Sequence, residues 1–196
     1  MVFQKRSRMV VLCAIVAASA LLFGCASWGD DTDDATAQQD DPERARYANL
    51  STDGLQVDKA DLSGNDEPDQ WKYHDGDGNL VRVERDMNFD GDVNIWEYYE
   101  NGELVEEEMA IDRGGEIDVV MFYEEGRVVR QLMASEFDGR FPIEKFYDSE
   151  ERLLRVERDT SGDGQVDTWE YFEDGERDRI GWDTSGDGQP DTFDHY

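Results

Sequence analysis

Aromatic and polar residues alternate in short runs that recur along the chain. The clearest runs place two rings two positions apart, as in Trp96 and Tyr98. Alternation with a period of two puts both rings on one face of a β-strand. A glycine follows most runs, and an apolar pair such as Leu104-Val105 then opens the next one. Because Asn101-Gly102 is a strong signal for a two-residue hairpin turn, the pattern predicts pairs of antiparallel strands.

The runs belong to a repeat of 24 or 25 residues. With the acidic segment before each aromatic run taken as the start, the units begin at Asp61, Asp86, Ala110, Ala134, Asp159 and Asp183. Periods of about 20–50 residues indicate repeat architectures in which each unit packs on its neighbours. We therefore expect an all-β fold of about six consecutive β-hairpins over residues 58–196. An antiparallel meander and a hairpin solenoid both fit this pattern.

The rings are the main source of apolar area in so thin a repeat. We expect the Trp and Tyr side chains to form one continuous stripe that serves as the core. The Glu and Arg residues at alternate positions are then expected to face water.

The acidic segments carry a spacing of oxygen-bearing side chains that is typical of calcium loops. The segment from Asp159 to Asp167 places Asp, Ser, Asp and Asp at positions 1, 3, 5 and 9, with Gly164 at position 6. Short loops with this spacing can wrap oxygen ligands around Ca²⁺. The alternative is that Asp, Gly, Ser and Asn are simply turn formers. A turn alone does not account for the carboxylates repeated at positions 5, 9 and 12.

These segments resemble the calcium loops of EF-hands and of their helix-free relatives, including dockerin loops and thrombospondin type 3 repeats. The resemblance implies Ca²⁺ as the cofactor, with position 12 supplying a further carboxylate. The implied ligands are Asp86, Asn88, Asp90, Asn94 and Glu97 in one copy, Asp159, Ser161, Asp163, Asp167 and Glu170 in a second, and Asp183, Ser185, Asp187 and Asp191 in a third. Because Trp-Glu-Tyr runs follow the loops in strand alternation, the paired-helix fold of EF-hands is not expected.

The remaining copies depart from the calcium pattern. The first copy has Asp66 at position 6 and Lys72 at position 12, and Gly114 and Pro142 stand at ligand positions of the middle copies. A second resemblance concerns the hairpins. The stretch from Tyr147-Asp148 to Arg152-Leu153 resembles the YD or Rhs repeat, with Glu151 where glycine is usual, and the units also resemble MORN-variant repeats. Both resemblances imply β-hairpin repeats and no particular activity.

Charge narrows the possible partners. The chain has a formal net charge of −30, with 49 acidic and 19 basic residues in 196. Such a field repels nucleic acid, so no nucleic-acid partner is expected. It also opposes a compact state through self-repulsion, which bound divalent cations would relieve. The alternative is that the excess of acid keeps the repeat soluble and protects its sheet edges.

The first 24 residues have the layout of an export signal. Lys5, Arg6 and Arg8 precede an apolar stretch from Met9 to Phe23, which is short for a spanning helix. The ending Leu22-Phe23-Gly24-Cys25 resembles the lipobox of bacterial lipoproteins. That resemblance implies a lipid-modified Cys25 and a membrane as partner, and Ala26 after the cysteine implies the outer membrane. Ordinary secretory cleavage after Ala20 is the alternative.

Residues 25–57 are predicted to form a lipidated, acidic and disordered tether. The stretch is polar, with runs such as Asp30 to Asp34, and too poor in apolar residues to build a core. Removal of the signal leaves Cys25 as the single cysteine, so no disulfide braces the repeat.

No constellation of residues indicates catalysis. The chain has two histidines, His74 and His195, and lacks a nucleophile or phosphate-loop motif. The sequence therefore favours a non-enzymatic, calcium-stabilised lipoprotein of the cell envelope that binds a protein or glycan or has a structural role. A metal-independent interaction repeat is the main alternative, and a carbohydrate-processing enzyme is a more distant one.

Overall fold

The computed structural model describes residues 51–112, 116–134 and 140–196. In this part of the chain there is one sheet of twelve antiparallel strands, and each strand pairs with the strands that precede and follow it in sequence. The all-β prediction is confirmed, and the arrangement is the meander and not the stacked solenoid. No helix among these residues is long and apolar enough to cross a membrane. The predicted signal peptide, Cys25 and most of the predicted tether lie outside the described residues.

The strands are short and regularly spaced. In chain order they are β1 Gln56–Ala60, β2 Gln70–His74, β3 Leu80–Arg85, β4 Ile95–Glu100, β5 Glu103–Met109, β6 Val119–Glu124, β7 Arg127–Met133, β8 Ile143–Tyr147, β9 Leu153–Arg158, β10 Thr168–Glu173, β11 Glu176–Trp182 and β12 Thr192–His195. The sheet thus begins at Gln56, slightly ahead of the predicted boundary at residue 58.

The two ends of the sheet carry different connections. The acidic segments join each odd strand to the next even strand, so they all lie at one end, which we call the loop end. Tight turns join each even strand to the next odd strand at the other end, which we call the turn end. Consecutive acidic segments are two strands apart, which corresponds to about 10 Å along the sheet. The meander therefore gathers repeats that are distant in sequence into one acidic edge.

The turn end is built from left-handed residues. Asn101 and Gly102 both have positive φ, at 53° and 85°, as a type I′ turn requires. The turns at Glu125-Gly126 and Asp174-Gly175 have the same two positive φ angles. Each of these hairpins also has a register shift after the aromatic run, such as that between Tyr98 and Tyr99. The shift is a β-bulge that takes up one extra residue in the second strand, and the sequence pattern did not reveal it.

Rings and charged side chains share one face of the sheet. The cross-strand partners in one row of this face are Val57, Tyr73, Arg82, Tyr98, Glu106, Phe122, Arg130, Phe146, Arg155, Tyr171, Arg179 and His195. We call this set the ring–charge row. Because only every second strand supplies a ring, the expectation of a continuous aromatic stripe is wrong. The intervening strands place Arg or Glu between the rings.

The arginines of the ring–charge row cover the rings beside them. The guanidinium carbon lies 5.4 Å from the ring centre for Arg82 on Tyr98, 4.8 Å for Arg130 on Phe122, 4.3 Å for Arg155 on Phe146 and 4.4 Å for Arg179 on Tyr171. All four distances are within the range of cation–π contact. The aliphatic stems of the arginines add apolar area to the same face.

Several charged residues are buried on this face, contrary to the expectation that they would face water. Glu106 is 1% exposed and Glu108 is 6% exposed. The hydroxyl of Tyr98 donates to Glu108 at 3.1 Å, and Arg82 forms an ion pair with Glu84 at 2.6 Å. A buried charge is tolerated only when hydrogen bonds or opposite charges accompany it. Packing on this face therefore depends on polar pairs as well as on rings.

The apolar core is small and central. Val120, Phe122, Leu132 and Phe141 form its buried cluster, on and beside strands β6 and β7, where the second row of the same face is aliphatic. The opposite face buries Val83 and Val156, and it carries the ion pair between Arg85 and Glu97. The sheet therefore has buried residues on both faces.

The type I′ turns give a test of local backbone strain. Glu125 occupies the same left-handed position that Asn101 occupies in the preceding tight turn, with φ of 51° and 53°. Asn tolerates this conformation better than Glu. We expect Glu125→Asn to raise the free energy of unfolding by about 1 kcal/mol and Asn101→Glu to lower it by a similar amount. Urea denaturation measures both free energies of unfolding. A change of the same sign in the two variants would contradict the strain that we infer at this turn position.

Buried tyrosine hydroxyls predict a loss of stability in alkali. Burial and a hydrogen bond to a carboxylate raise the pKa of Tyr73, which donates to Glu84, and of Tyr99, which donates to Glu97, to about 12. Burial also raises the pKa of Tyr123. The folded state then holds these protons more tightly than the unfolded state does. Stability should be complete below about pH 10 and fall as the pH rises from there toward the raised values.

Tyrosinate absorbance and urea denaturation from pH 8 to pH 12 would measure this effect. Tyr123→Phe keeps the ring and removes the proton, so the alkaline loss should be smaller in that variant. Tyrosines that all titrate near their ordinary value in the folded protein would contradict the prediction.

Candidate calcium loops at the loop end

The acidic loops are held in shape by their own carboxylates. In the loop that starts at Asp159, this residue accepts the backbone N–H of Gly162 at 2.6 Å and of Gly164 at 2.7 Å. Position 1 therefore accepts from positions 4 and 6. The same pair of contacts recurs in the loops that start at Asp61, Asp86 and Asp183.

Position 9 closes the loop from its other end. Asp167 accepts the backbone N–H of Thr160 at 3.0 Å and of Ser161 at 2.9 Å. Position 9 therefore accepts from positions 2 and 3. Asp69, Asp118 and Asp191 make both corresponding contacts, and Asn94 makes the one from position 2. Because these N–H groups have no strand partner, the carboxylates satisfy donors that folding would otherwise leave unpaired.

Two left-handed residues set the path of the loops that start at Asp61, Asp86, Asp159 and Asp183. Gly162 and Gly164, at positions 4 and 6, have φ of 79° and 87°. Position 6 was expected from the sequence, but the need for a left-handed residue at position 4 was not. The signal was present, because glycine also stands at position 4 as Gly64 and Gly186. In the second loop that place is taken by Phe89 with φ of 60°, a conformation that few bulky residues adopt.

Neighbouring loops are joined by the backbone. The N–H of Asp183 donates to the carbonyl of Asp167 at 3.0 Å, so position 1 of one loop binds position 9 of the loop before it. The N–H of Asp86 binds the carbonyl of Asp69 in the same way at 2.9 Å. The loop end is thus one connected edge and not a set of independent turns.

Three carboxylates converge in the last loop. One oxygen each from Asp183, Asp187 and Asp191, at positions 1, 5 and 9, lies within 4.8 Å of the others. The hydroxyl of Ser185 at position 3 is 3.3 Å from Oδ1 of Asp183. All four donors are hard oxygens, as Ca²⁺ prefers, and each carboxylate has lone pairs beyond those used by backbone N–H groups. This donor set fits a calcium ion.

The Asp159 loop matches the calcium pattern more fully than the Asp183 loop does, but its carboxylates lie less close together. Among the described residues, the Asp183 loop alone brings three carboxylates to that separation. The hydroxyls of Thr160 and Thr168 donate to Oδ1 of Asp167 at 2.7 and 2.9 Å, while two backbone N–H groups hold Oδ2. Both oxygens of position 9 are therefore engaged. In the last loop, the bonds described for Asp191 all go to Oδ2.

The Asp86 loop uses its predicted ligands in internal contacts. The side-chain amide of Asn88 donates to Asp90 at 3.0 Å, and Asn94 accepts the N–H of Met87 at 2.9 Å. Asp86 is 2% exposed. Position 9 of this loop is a neutral amide, so positions 1, 5 and 9 offer two carboxylates here and three in the last loop.

The glutamates at position 12 lie on the sheet and are paired with arginines. Glu97 forms an ion pair with Arg85, and it accepts the hydroxyl of Tyr99 at 2.7 Å. Glu170 is paired with Arg158 at 2.9 Å and with Arg177 at 3.3 Å. In both cases one partner is the residue just before the loop, so the structure shows these glutamates bridging strands. Their predicted role as ligands stays a prediction.

Hydrogen bonding favours the charged form of the loop carboxylates. Backbone N–H groups of Gly188 and Gly186 outweigh the opposing effect of burial and lower the pKa of Asp183. The backbone N–H and hydroxyl of Thr184 lower the pKa of Asp191. In the Asp159 loop, hydrogen bonds from both threonines outweigh burial and lower the pKa of Asp167. These groups are therefore ionised, as metal binding requires.

Comparison with known proteins yields structural similarities of low degree. No family model matches the chain, and no curated protein matches it. The Glycosylation Associate Protein (Gap123) complex from Streptococcus agalactiae is similar with 15% identity and a TM-score of 0.45, over 60% of this chain and 21% of that chain. The crystal structure of TarM has 10% identity and a TM-score of 0.41, over 54% and 19%. The structure of accessory secretory protein 1, 2 and 3 in Streptococcus pneumoniae has 16% identity and a TM-score of 0.32, over 56% and 20%.

This chain spans about a fifth of the length of those solved chains. At TM-scores below 0.5 the similarity assigns neither a family nor an activity.

The role of position 9 as a backbone acceptor can be tested apart from any metal. Asp69 is 2% exposed and accepts two N–H groups at 2.7 Å, from Leu62 and Ser63. Asp69→Ala should lower the free energy of unfolding by about 1–3 kcal/mol, because both donors lose their acceptor. Asp69→Asn should cost less, since Asn94 fills this place in the next loop. Urea denaturation in EDTA measures both, and equal losses would contradict the role.

Proposed function

We propose that this chain is a lipid-anchored protein of the cell envelope whose acidic loops bind calcium and so stabilise a non-enzymatic binding or structural module. The observation that carries the proposal is the convergence of Asp183, Asp187 and Asp191 within 4.8 Å at positions 1, 5 and 9. These positions are the ones that the loop pattern assigns to ligands. Three carboxylates and the Ser185 hydroxyl supply only oxygen, which favours Ca²⁺ over softer metals.

The charge of the molecule supports a stabilising role for the cation. A chain of net charge −30 places its acidic loops side by side at one end of the sheet, about 10 Å apart. Salt at physiological strength largely screens repulsion between loops at that distance, but the three carboxylates of the Asp183 loop lie within 4.8 Å of one another, well inside the screening length of about 8 Å. A divalent ion in a loop reduces this repulsion where it is largest.

The loop backbone has hydrogen-bond acceptors within the protein itself. Positions 1 and 9 hold the loop backbone through hydrogen bonds, as in the Asp183 loop with Gly186, Gly188 and Thr184. Calcium is therefore expected to add stability to a folded domain and not to induce folding. At ~1 mM calcium and a dissociation constant of ~0.1 mM, one site adds about 1.4 kcal/mol.

The proposed location comes from the N-terminal sequence. Cys25 ends a lipobox-like segment. Residues 25–57 would form a tether between a lipid anchor and the sheet, whose first strand begins at Gln56. We place the protein at the outer membrane, on its periplasmic or its external side. Calcium is more abundant outside the cytoplasm, where weak extracellular loops with dissociation constants of about 10⁻⁴–10⁻³ M can fill.

A metal-independent interaction repeat is the second candidate. The observation in its favour is that the carboxylates already serve the loop backbone, so a turn role alone accounts for positions 1 and 9. Asp187 at position 5 also has a turn contact, because it accepts the N–H of Gln189 at 3.0 Å. A turn role does not account for the convergence of the three carboxylates in the last loop. In this candidate the partner is a protein or a glycan, and chelators leave its binding unchanged.

Thermal unfolding with and without calcium tests the proposal. Addition of about 1 mM calcium to the EDTA-treated protein should raise the melting temperature by about 3–6 °C per occupied site. Asp187→Asn keeps an acceptor for Gln189 but removes one ligand charge, so the increase should shrink. Adding Asp90→Asn and Asp163→Asn, at position 5 of the other two loops, should remove the remaining increase in melting temperature.

Asp77→Asn is the matched control. It makes the same change of charge at the turn end, where Asp77 has no loop role, and it should leave the response to calcium unchanged. A melting temperature that EDTA and calcium do not alter would reject the proposal and favour the metal-independent repeat.

A further inference from the structure

The sheet has two open edges. Among the described residues, β1 pairs only with β2 and β12 pairs only with β11. An edge strand presents backbone N–H and C=O groups that can pair with another chain. Both edge strands are largely exposed, including all four residues of Thr192–His195.

The two edges are complementary in the repeat. Acidic loops join odd strands to the following even strands, and tight turns join even strands to the following odd strands. β12 is an even strand, and no odd strand follows it among the described residues. β1 is an odd strand whose preceding even strand is not among the described residues. Each edge is therefore missing the kind of strand that the other edge provides.

Exposed apolar side chains mark the same edges. The ring of Phe193 in β12 is 43% exposed, although Trp169, at the equivalent position of the preceding unit, is 6% exposed. Val57 in β1 is 42% exposed and lies on the same face of the sheet, at the end of the ring–charge row. Inside the sheet, a neighbouring strand on each side covers the equivalent positions. The edges lack that cover.

We propose that copies of this chain associate head to tail, with β12 of one copy paired antiparallel to β1 of the next. The register follows from the other even-to-odd pairs, in which the residue at position 11 faces the second residue before the next loop, as Trp71 faces Glu84. The expected pairs are Thr192 with Ala60, Phe193 with Lys59, Asp194 with Asp58 and His195 with Val57 of the second copy. The sheet then continues across the boundary without a change in the repeat.

The side chains at this junction repeat the chemistry of the sheet interior. Lys59 already faces Trp71 within its own copy, and pairing would place it between that ring and Phe193 of the other copy. Rings alternate with charged side chains in the same way along the ring–charge row, from Tyr73 to Arg179. The contact is heterologous, so it leaves a free β1 at one end and a free β12 at the other and can extend to chains of copies.

Electrostatic repulsion opposes the association. Asp194 would face Asp58 directly, and each copy carries a net charge of −30. The interaction is therefore expected to be weak and to strengthen with ionic strength, since salt screens repulsion between exposed charges. Removing the like-charged pair with Asp58→Asn should raise the association constant roughly two- to fivefold.

Cysteine cross-linking of the full chain tests both direction and register. Val57→Cys and His195→Cys are made as separate variants, each with Cys13→Ser and Cys25→Ser so that it has a single thiol, and are mixed under mild oxidation. Residues directly opposite in antiparallel strands lie about 4.5–5.5 Å apart at Cα, which suits a disulfide. The mixture should give covalent dimers and stop there, each variant alone should give few, and the variant with both changes should give a series of dimers, trimers and larger chains on non-reducing gels.

Asp58→Cys mixed with His195→Cys is the register control. Residue 58 points to the opposite face, so it should cross-link several-fold less than the pair with Val57→Cys. Cross-links within a single variant as abundant as in the mixture would overturn the proposal in favour of a symmetric edge contact. Absence of cross-links from folded protein at high salt would also overturn it.

Discussion

Packing in this protein depends on contacts between neighbouring strands of a single sheet. The described residues provide no second layer, so a side chain can bury area only against the side chains beside it on the same face. The ring–charge row meets this constraint with flat rings from even strands and long arginines or glutamates from odd strands. Guanidinium groups such as those of Arg155 and Arg179 lie about 4 Å from the neighbouring ring centres and cover them from water.

The same constraint explains why charge is buried in so acidic a chain. Where a ring and an arginine exclude water, a carboxylate nearby must have a donor, and tyrosine hydroxyls and arginines supply it. The hydroxyl of Tyr98 donates to Glu108, and the hydroxyl of Tyr123 donates to Glu107 at 2.8 Å. Polar pairs and rings are therefore parts of one packing scheme, and removing either leaves the other exposed or unpaired.

In the acidic loops, side chains likewise provide hydrogen-bond partners, here for backbone N–H groups. Loop N–H groups lie beyond the strand ladder, and aspartates at positions 1 and 9 accept them. The need for these acceptors is enough to account for Asp at positions 1 and 9 and for left-handed residues such as Gly162 and Gly164 between them. Calcium binding, as we propose it, would add a second use for carboxylates that are already in place. The meander places these loops side by side, and so it concentrates charge at one end of the sheet while the turn end stays less acidic.

The repeat and the hairpins could be predicted from the sequence, because the two-residue alternation and the Asn101-Gly102 type of turn are local signals that neighbouring residues satisfy. The sequence also indicated the loops, although it favoured the Asp159 copy. Which loop converges depends on tertiary contacts, since two threonine hydroxyls donate to Oδ1 of Asp167 while Oδ1 of Asp191 has no such bond described. Tertiary structure also determines which side chains lie between the rings of the ring–charge row. Register across strands joins residues such as Arg82 and Tyr98 that are far apart in sequence, and no local pattern encodes that pairing.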